Sequence, residues 1–165
     1  KTVGNQTDLQ LLIALRSKAS LIVTTGKTAR NEQYKASRFA PIAFITREEH
    51  SLASIPAVTL QGSFENIFLS SDKPLTDAFI DFDTKLSRAR FHNFLFEGGL
   101  ESLGSLLKST LQVSLVLSIA NVQDFDEPKA LELLNKILPD WSNPELHEAF
   151  RVGPNLVTIW TKPAS

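Results

Sequence analysis

Short apolar runs alternate with stretches of helical period along most of this chain, and no other feature constrains its fold as strongly. Leu21-Ile22-Val23-Thr24 is a β-branched run closed by Gly26, the pattern of a short buried strand. Ile42 to Thr46 is a second such run, ending at the charged cluster Arg47-Glu48-Glu49-His50. Ala57 to Leu60, Ile67 to Leu69, Asn93 to Phe96, Val113 to Ile119 and Asn155 to Thr161 read as further strands. Between Pro74 and Arg90 the period changes: Leu75, Ala78, Phe79, Phe82 and Leu86 form one apolar helical stripe. Proline suits its start, where a missing N–H costs little. Leu100, Leu103 and Leu107 mark a helix after Gly98-Gly99, and Glu127 to Leu138 marks another. Near the N-terminus, Thr7 and Gln10 have capping-box spacing beside Leu9, Leu12 and Ile13, so a helix is expected there too.

Strands that alternate with helices predict an α/β fold with a mainly parallel sheet. Strands apolar on both faces predict helices on both sides of it, hence three layers. After Asp140 no helical stripe precedes the last strand, so the sheet is expected to be mixed, with an antiparallel edge. No repeat or linker interrupts the chain, and residues 1–165 read as one domain.

Composition narrows the function. A chain of 165 residues can bury a core without a disulfide or metal staple. With no cysteine, thiolate catalysis, disulfides and Cys-based zinc sites are excluded, and a cytoplasmic setting is expected. His50, His92 and His147 lie far apart and match no metal-ligand spacing, so no metal is expected. A net charge of −1 carries no broad footprint for nucleic acid. The apolar runs fall far short of the roughly 20 residues that cross a bilayer, so no membrane partner is expected. The chain has no methionine and is expected to be a processed or truncated piece.

Two glycine sites invite a ligand. Gly26-Lys27-Thr28 follows a strand, but Leu21 occupies the place where a phosphate-binding P-loop needs its opening glycine, which argues against nucleotide hydrolysis there. Glu97-Gly98-Gly99 joins a strand to a helix whose first N–H groups are unsatisfied and partly positive. Glycines there let a pyrophosphate approach the backbone, although a plain strand-to-helix turn reads the same way. Gly104, inside that helix, is expected to permit close packing against the sheet. No G-x-S-x-G elbow for a serine hydrolase is present.

The order of these pieces resembles the dihydrofolate-reductase-like reductases, especially the reductase domain of riboflavin biosynthesis. One branch carries T-x-R-x-E-x-Y after its Gly/Thr-rich turn, here Thr28-Ala29-Arg30-Asn31-Glu32-Gln33-Tyr34. A following strand ends in T-R, here Thr46-Arg47, and E-G-G closes a later one, here Glu97-Gly98-Gly99. A tryptophan sits near the end of the final strand, here Trp160. The chain departs from the pattern at Lys27, which replaces a glycine, and at Gln112-Val113-Ser114-Leu115, which replaces V-D-E-L. The family's first strand, ending in D-G-K or D-G-R, has no counterpart beyond Lys1-Thr2, so the chain is expected to lack it.

The resemblance implies NADPH as hydride donor and a phosphoribosylamino-pyrimidine as the small-molecule substrate. It implies that Gly98 and Gly99 face the pyrophosphate, with Gly26, Thr28 and Leu100 also on the cofactor. Thr46 and Arg47 would meet the adenosine 2′-phosphate, where a guanidinium makes charge-assisted bonds. Lys1, Arg30 and Glu32 would line the substrate side and Glu97 would hold the catalytic position. Homodimers are common in the family. The other readings are reduction of another small substrate such as a pterin, and a degenerate relative that binds a nucleotide without turnover. Arg47 beside Glu48 and Glu49 also reads as an ordinary surface charge.

Overall fold

A computed structural model of the chain describes residues 4–60, 62–87, 91–109, 111–120, 122 and 124–162. Lys1, Thr2 and Arg90, named above, lie outside them. The chain forms two compact units, Ala14–Ser109 and Lys1–Ile13 with Thr110–Ser165. The first helix, α1 (Gln6–Lys18), contributes residues to both.

Unit Ala14–Ser109 is built on four parallel strands: β1 (Leu21–Thr25), β2 (Ile42–Thr46), β3 (Ile67–Ser70) and β4 (Phe94–Glu97), in the order β3-β2-β1-β4. β1 and β2 are wholly buried, which is why their sequences are apolar without alternation. Register places Ile22 beside Ile42 and Leu95, and Phe44 beside Phe68. On that face Ile22, Ile42 and Phe44 cluster with Ala29 of α2 (Gly26–Asn31), Leu52 of a 3₁₀ turn (Glu49–Leu52) and Ala57 of α3 (Pro56–Thr59). On the other face α4 (Leu75–Ser87) sets Phe79 and Phe82 edge-on to Phe96 and Phe94, with ring centroids 5.1 and 5.6 Å apart. α5 (Leu100–Lys108) packs beside α4. The expected three layers, helices on both faces of a parallel sheet, are therefore present in this unit.

Three local expectations are corrected. Ala57 to Leu60 is not a strand: Pro56 opens helix α3, and the amides of Thr59 and Leu60 donate to Ile55 and Pro56. A four-residue apolar run has no measurable period, and proline at the first helical position decides it. At the start of α1 the box is made by Asn5 and Asp8, each backbone N–H donating to the other's side chain at 2.9 and 3.0 Å, not by Thr7 and Gln10. Gly104 is not a packing glycine either, since a Cβ there would meet no atom within 4 Å.

One buried group in the sheet is unsatisfied. The Thr24 hydroxyl is fully enclosed and has no hydrogen-bond partner among the described residues. Replacing an orphan hydroxyl by a methyl of the same shape removes a desolvation penalty. Thr24→Val is therefore expected to be neutral or to stabilise by up to about 1 kcal/mol in urea unfolding.

The other unit holds β5 (Ser114–Ala120), β6 (Glu145–Val152) and β7 (Asn155–Thr161), antiparallel in the order β5-β7-β6, and α6 (Glu127–Ile137). The strands of the chain thus combine parallel and antiparallel pairing, as expected, but in two separately hydrogen-bonded sheets. β6 has no counterpart in the sequence reading, because it is a polar edge strand exposed along most of its length. Gly153, at a φ of +56°, turns it into β7. Asp126 caps α6 through the Lys129 amide.

Buried Asn155 donates to Asp8 at 2.8 Å and to Ser118 at 3.0 Å, and Ser118 donates to Asp8 at 2.6 Å. The Ser118 hydroxyl, and then the Asn5 amide, hold the Asp8 carboxyl below the ordinary aspartate range. A lowered folded-state pKa contributes stability above the unfolded value, about 3.9, that disappears as pH falls through the folded one. Asp8→Asn is expected to remove that part of the acid sensitivity, read as a flatter dependence of melting temperature on pH between about 5 and 2.

Candidate active site

Three parallel strands deliver their carboxyl ends to one place, the edge where ligands of open α/β sheets gather. β1 runs into α2 without a loop: Thr25 is the N-cap, its hydroxyl accepting from the Thr28 amide at 3.3 Å. β2 ends at Thr46, whose hydroxyl donates to the Glu48 carbonyl and accepts from the Glu48 amide, both at 3.2 Å. That closed turn leaves Arg47 exposed, with no hydrogen bond or ion pair to the described residues. Gly26 is needed because a Cβ there would come within 2.8 Å of the Thr46 hydroxyl.

Between these ends and the starts of α4 and α5 lies a cavity of about 460 Å³, within the usual size range of small-molecule sites. Thr25, Gly26, Lys27 and Arg30 line it from β1 and α2, and Thr46, Arg47, Glu48 and Ser51 from β2 and the 3₁₀ turn. Ser71 after β3, Lys73 before α4, Leu75 and Ala78 of α4, and Glu101 and Ser102 of α5 line it too, with Ile45 of β2. Lys27, Arg30, Arg47 and Lys73 face two carboxylates, Glu48 and Glu101, so cationic groups are in excess. Arg30 donates to Ser51 at 2.7 Å and Lys27 to Glu101 at 3.2 Å. Lys73 reaches Asp81 at 2.6 Å, and that hydrogen bond raises its pKa.

Of the residues expected at a site, Gly26, Arg30, Thr46 and Arg47 line this cavity together. Thr28 lies just behind, as the partner of the Thr25 cap. Gly98, Gly99 and Leu100 lead into α5, two residues of which form the wall. Here the glycines separate. A Cβ on Gly98 would run into the Phe96 ring, whereas one on Gly99 would meet no atom within 4 Å. Gly99 is the N-cap of α5 in an extended conformation open to any residue (φ −71°, ψ 166°), and no side chain caps that helix. Glu32 is exposed at the end of α2 and does not line the cavity.

Glu97 is not on the cavity wall either. Its register with Thr24 puts it on the sheet face of α2, where Arg16 Nε donates to Oε1 at 2.7 Å and Arg16 Nη2 to Oε2 at 2.5 Å. The Tyr34 hydroxyl also donates to Oε2. The Arg16 pKa is raised chiefly by its bond to Glu97. That of Tyr34 is raised by burial first and by the Glu97 charge second. Sequence reading missed Arg16, Lys73, Ser51, Ser71, Glu101 and Ser102, none of which belongs to a motif. Among the described residues no group of three or more His, Asp or Glu could hold a metal, and no helix is long and apolar enough to cross a membrane.

In sequence, no family profile and no curated protein matches the chain. In structure, RibD of Acinetobacter baumannii superposes on 99% of it with a TM-score of 0.70 at 10% identity. The fold is that of the pyrimidine-reductase-like proteins. A protein described by that term from Corynebacterium diphtheriae matches 98% of the chain and 83% of its own length, with a TM-score of 0.54 at 18% identity. The diaminohydroxyphosphoribosylaminopyrimidine deaminase/5-amino-6-(5-phosphoribosylamino)uracil reductase of Thermotoga maritima matches 99%, with a TM-score of 0.59 at 11% identity. The chain spans about half the length of the first and last of these, 52% and 50%. At such identities the likeness is one of pyrimidine-reductase-like fold, which by itself hosts many chemistries.

Proposed function

We propose that this chain is a reductase domain that takes NADPH in the cavity at the ends of β1 and β2 and reduces a phosphoribosylamino-pyrimidine. The observation that carries the reading is the cavity itself, which gathers Gly26, Arg30, Thr46 and Arg47 from two strand ends with cations in excess. The donor set suits a dinucleotide with an extra phosphate. Among the described residues Arg47 is a guanidinium without a partner, and the open backbone at Gly99 leads to a helix start that no side chain caps. Bound there, the nicotinamide would supply a hydride, the hard chemistry that a protein of this kind leaves to its cofactor. Arg30, held by Ser51 at 2.7 Å, would serve the substrate side, and Glu32 is proposed for that side too although it lies off the cavity wall. Hydride addition must be balanced by a proton; Glu97, at the end of β4, is proposed for that side of the reaction, where it would have to exchange the bonds that Arg16 and Tyr34 make to it for one to the substrate.

The reading is tested by titrating NADPH and NADH against the protein, then by surveying pyrimidine and pterin substrates for NADPH oxidation. Tighter binding of NADPH, with oxidation driven by a phosphoribosylamino-pyrimidine, is the expected result. Binding without turnover would replace the enzyme by a nucleotide-binding relative, and absence of binding would overturn both. Within an active protein, Glu97→Gln is expected to lower kcat by roughly tenfold or more, the loss of one group assisting a proton, and, because it also breaks the two-pronged bond to Arg16, to weaken NADPH several-fold. Undiminished turnover removes Glu97 from the reaction.

A further inference from the structure

We infer that Arg16 is a positioning residue, which through Glu97 holds the Gly98-Gly99 turn and so the wall of the cavity that α5 provides. Its consequence for binding rests on the dinucleotide reading above; its geometry does not. Glu97 is the last residue of β4, and two glycines follow it before α5 begins. Glycine has the widest backbone freedom of any residue, and α5 has no capping side chain to fix its entry. Little that is local therefore defines how the chain leaves the strand.

The side chain of Glu97 supplies the missing restraint. Both of its oxygens are taken by a two-pronged guanidinium bond at 2.7 and 2.5 Å, and Oε2 accepts from Tyr34 as well. Arg16 also donates to the Tyr34 hydroxyl at 3.2 Å, and its guanidinium lies over that ring, 5.5 Å from the centroid. Tyr34 is itself fixed: its amide donates to Ala29 at 3.0 Å, and its ring is buried in the core. Arg16 thus ties the end of β4 to a rigid point on the sheet face of α2. From the opposite face the Phe96 ring lies against Gly98. Held on both sides, the turn presents α5, and hence Glu101 and Ser102, in one position. A binding surface fixed in advance loses less entropy on ligand binding.

Arg16→Lys separates this role from a general structural one, because lysine keeps the charge but cannot make two parallel bonds to a carboxylate. The measurement is amide hydrogen exchange across the intact protein, paired with an NADPH titration. The expected result is exchange at residues 98–102 accelerated by roughly tenfold or more, with the amides of β1 and β2 unchanged, and NADPH bound several-fold more weakly. Unchanged exchange at 98–102, or an equal acceleration throughout Ala14–Ser109, overturns the inference. In the second case Arg16 is only a brace for the fold. Should the Arg16→Lys variant lose overall stability, the ratio of exchange at 98–102 to that in β1 still distinguishes the two. If the unaltered protein binds no dinucleotide, the reductase reading falls, and the exchange pattern alone decides the role of Arg16.

Discussion

Gly99→Val is expected to abolish dinucleotide binding, a loss of roughly 100-fold or more, while the protein keeps its circular dichroism spectrum and melts within a few degrees of the original. The two halves of that result have separate causes. A Cβ at Gly99 meets no atom within 4 Å, and its φ of −71° is ordinary for any residue. The fold therefore makes no demand for glycine there. What a branched side chain would obstruct is the approach of a phosphate group to the backbone at the start of α5, where N–H groups are unsatisfied and partly positive. Gly98 supplies the contrast. Its missing side chain makes room for the Phe96 ring, so Gly98→Ala is expected to lower the melting temperature, whatever it does to binding. Normal NADPH affinity in Gly99→Val would return the glycine pair to a plain strand-to-helix turn.

Arg47→Ala is expected to weaken NADPH by roughly 10- to 150-fold while NADH changes little. A hydrogen bond to a charged group contributes about 1.5–3 kcal/mol, which converts to that range of affinity. Arg47 is suited to this because the closed Thr46–Glu48 turn turns it out, and among the described residues it has no partner to give up. Neighbouring Glu48, which lines the same cavity, offsets part of the attraction, and added salt is expected to narrow the difference between the cofactors. An equal loss for NADPH and NADH would remove Arg47 from recognition of the 2′-phosphate and leave it an ordinary surface charge.

Arg30 shows how much of the site was legible in advance. It belongs to a motif of consecutive residues, Thr28 to Tyr34, and the structure places it on the cavity wall. Thr46-Arg47 was legible for a similar reason: a strand end is visible as the point where an apolar run stops, and strand ends of a parallel sheet are where ligands collect. Lys73, Ser51 and Ser102 were not legible. Each is a common surface residue type, and each joins the site through tertiary placement. Glu97 was found, but its partner was not. Arg16 lies 81 residues away in the chain, inside a helix whose own pattern offers no reason to look for a carboxylate.

By itself the sequence determined the kinds of element and their order, since helical and strand periods are local properties written in each segment. β1, β2, β4, α4, α5, α6 and β7 all follow from such periods, as does the helix–strand alternation that demands a parallel sheet. Where a segment is too short or too polar to carry a period, only the tertiary structure decided. Ala57 to Leu60 became a helix on its proline, and β6 became a strand through pairing with β7. The same holds for side chains with two plausible roles. Gly98 and Gly99 are chemically identical neighbours, and a ring packed against one but not the other gives them different work. Glu97 reads as a free acid until Arg16 and Tyr34 are brought to it. Periods set what an element is; register and packing set which of its side chains remain free to act.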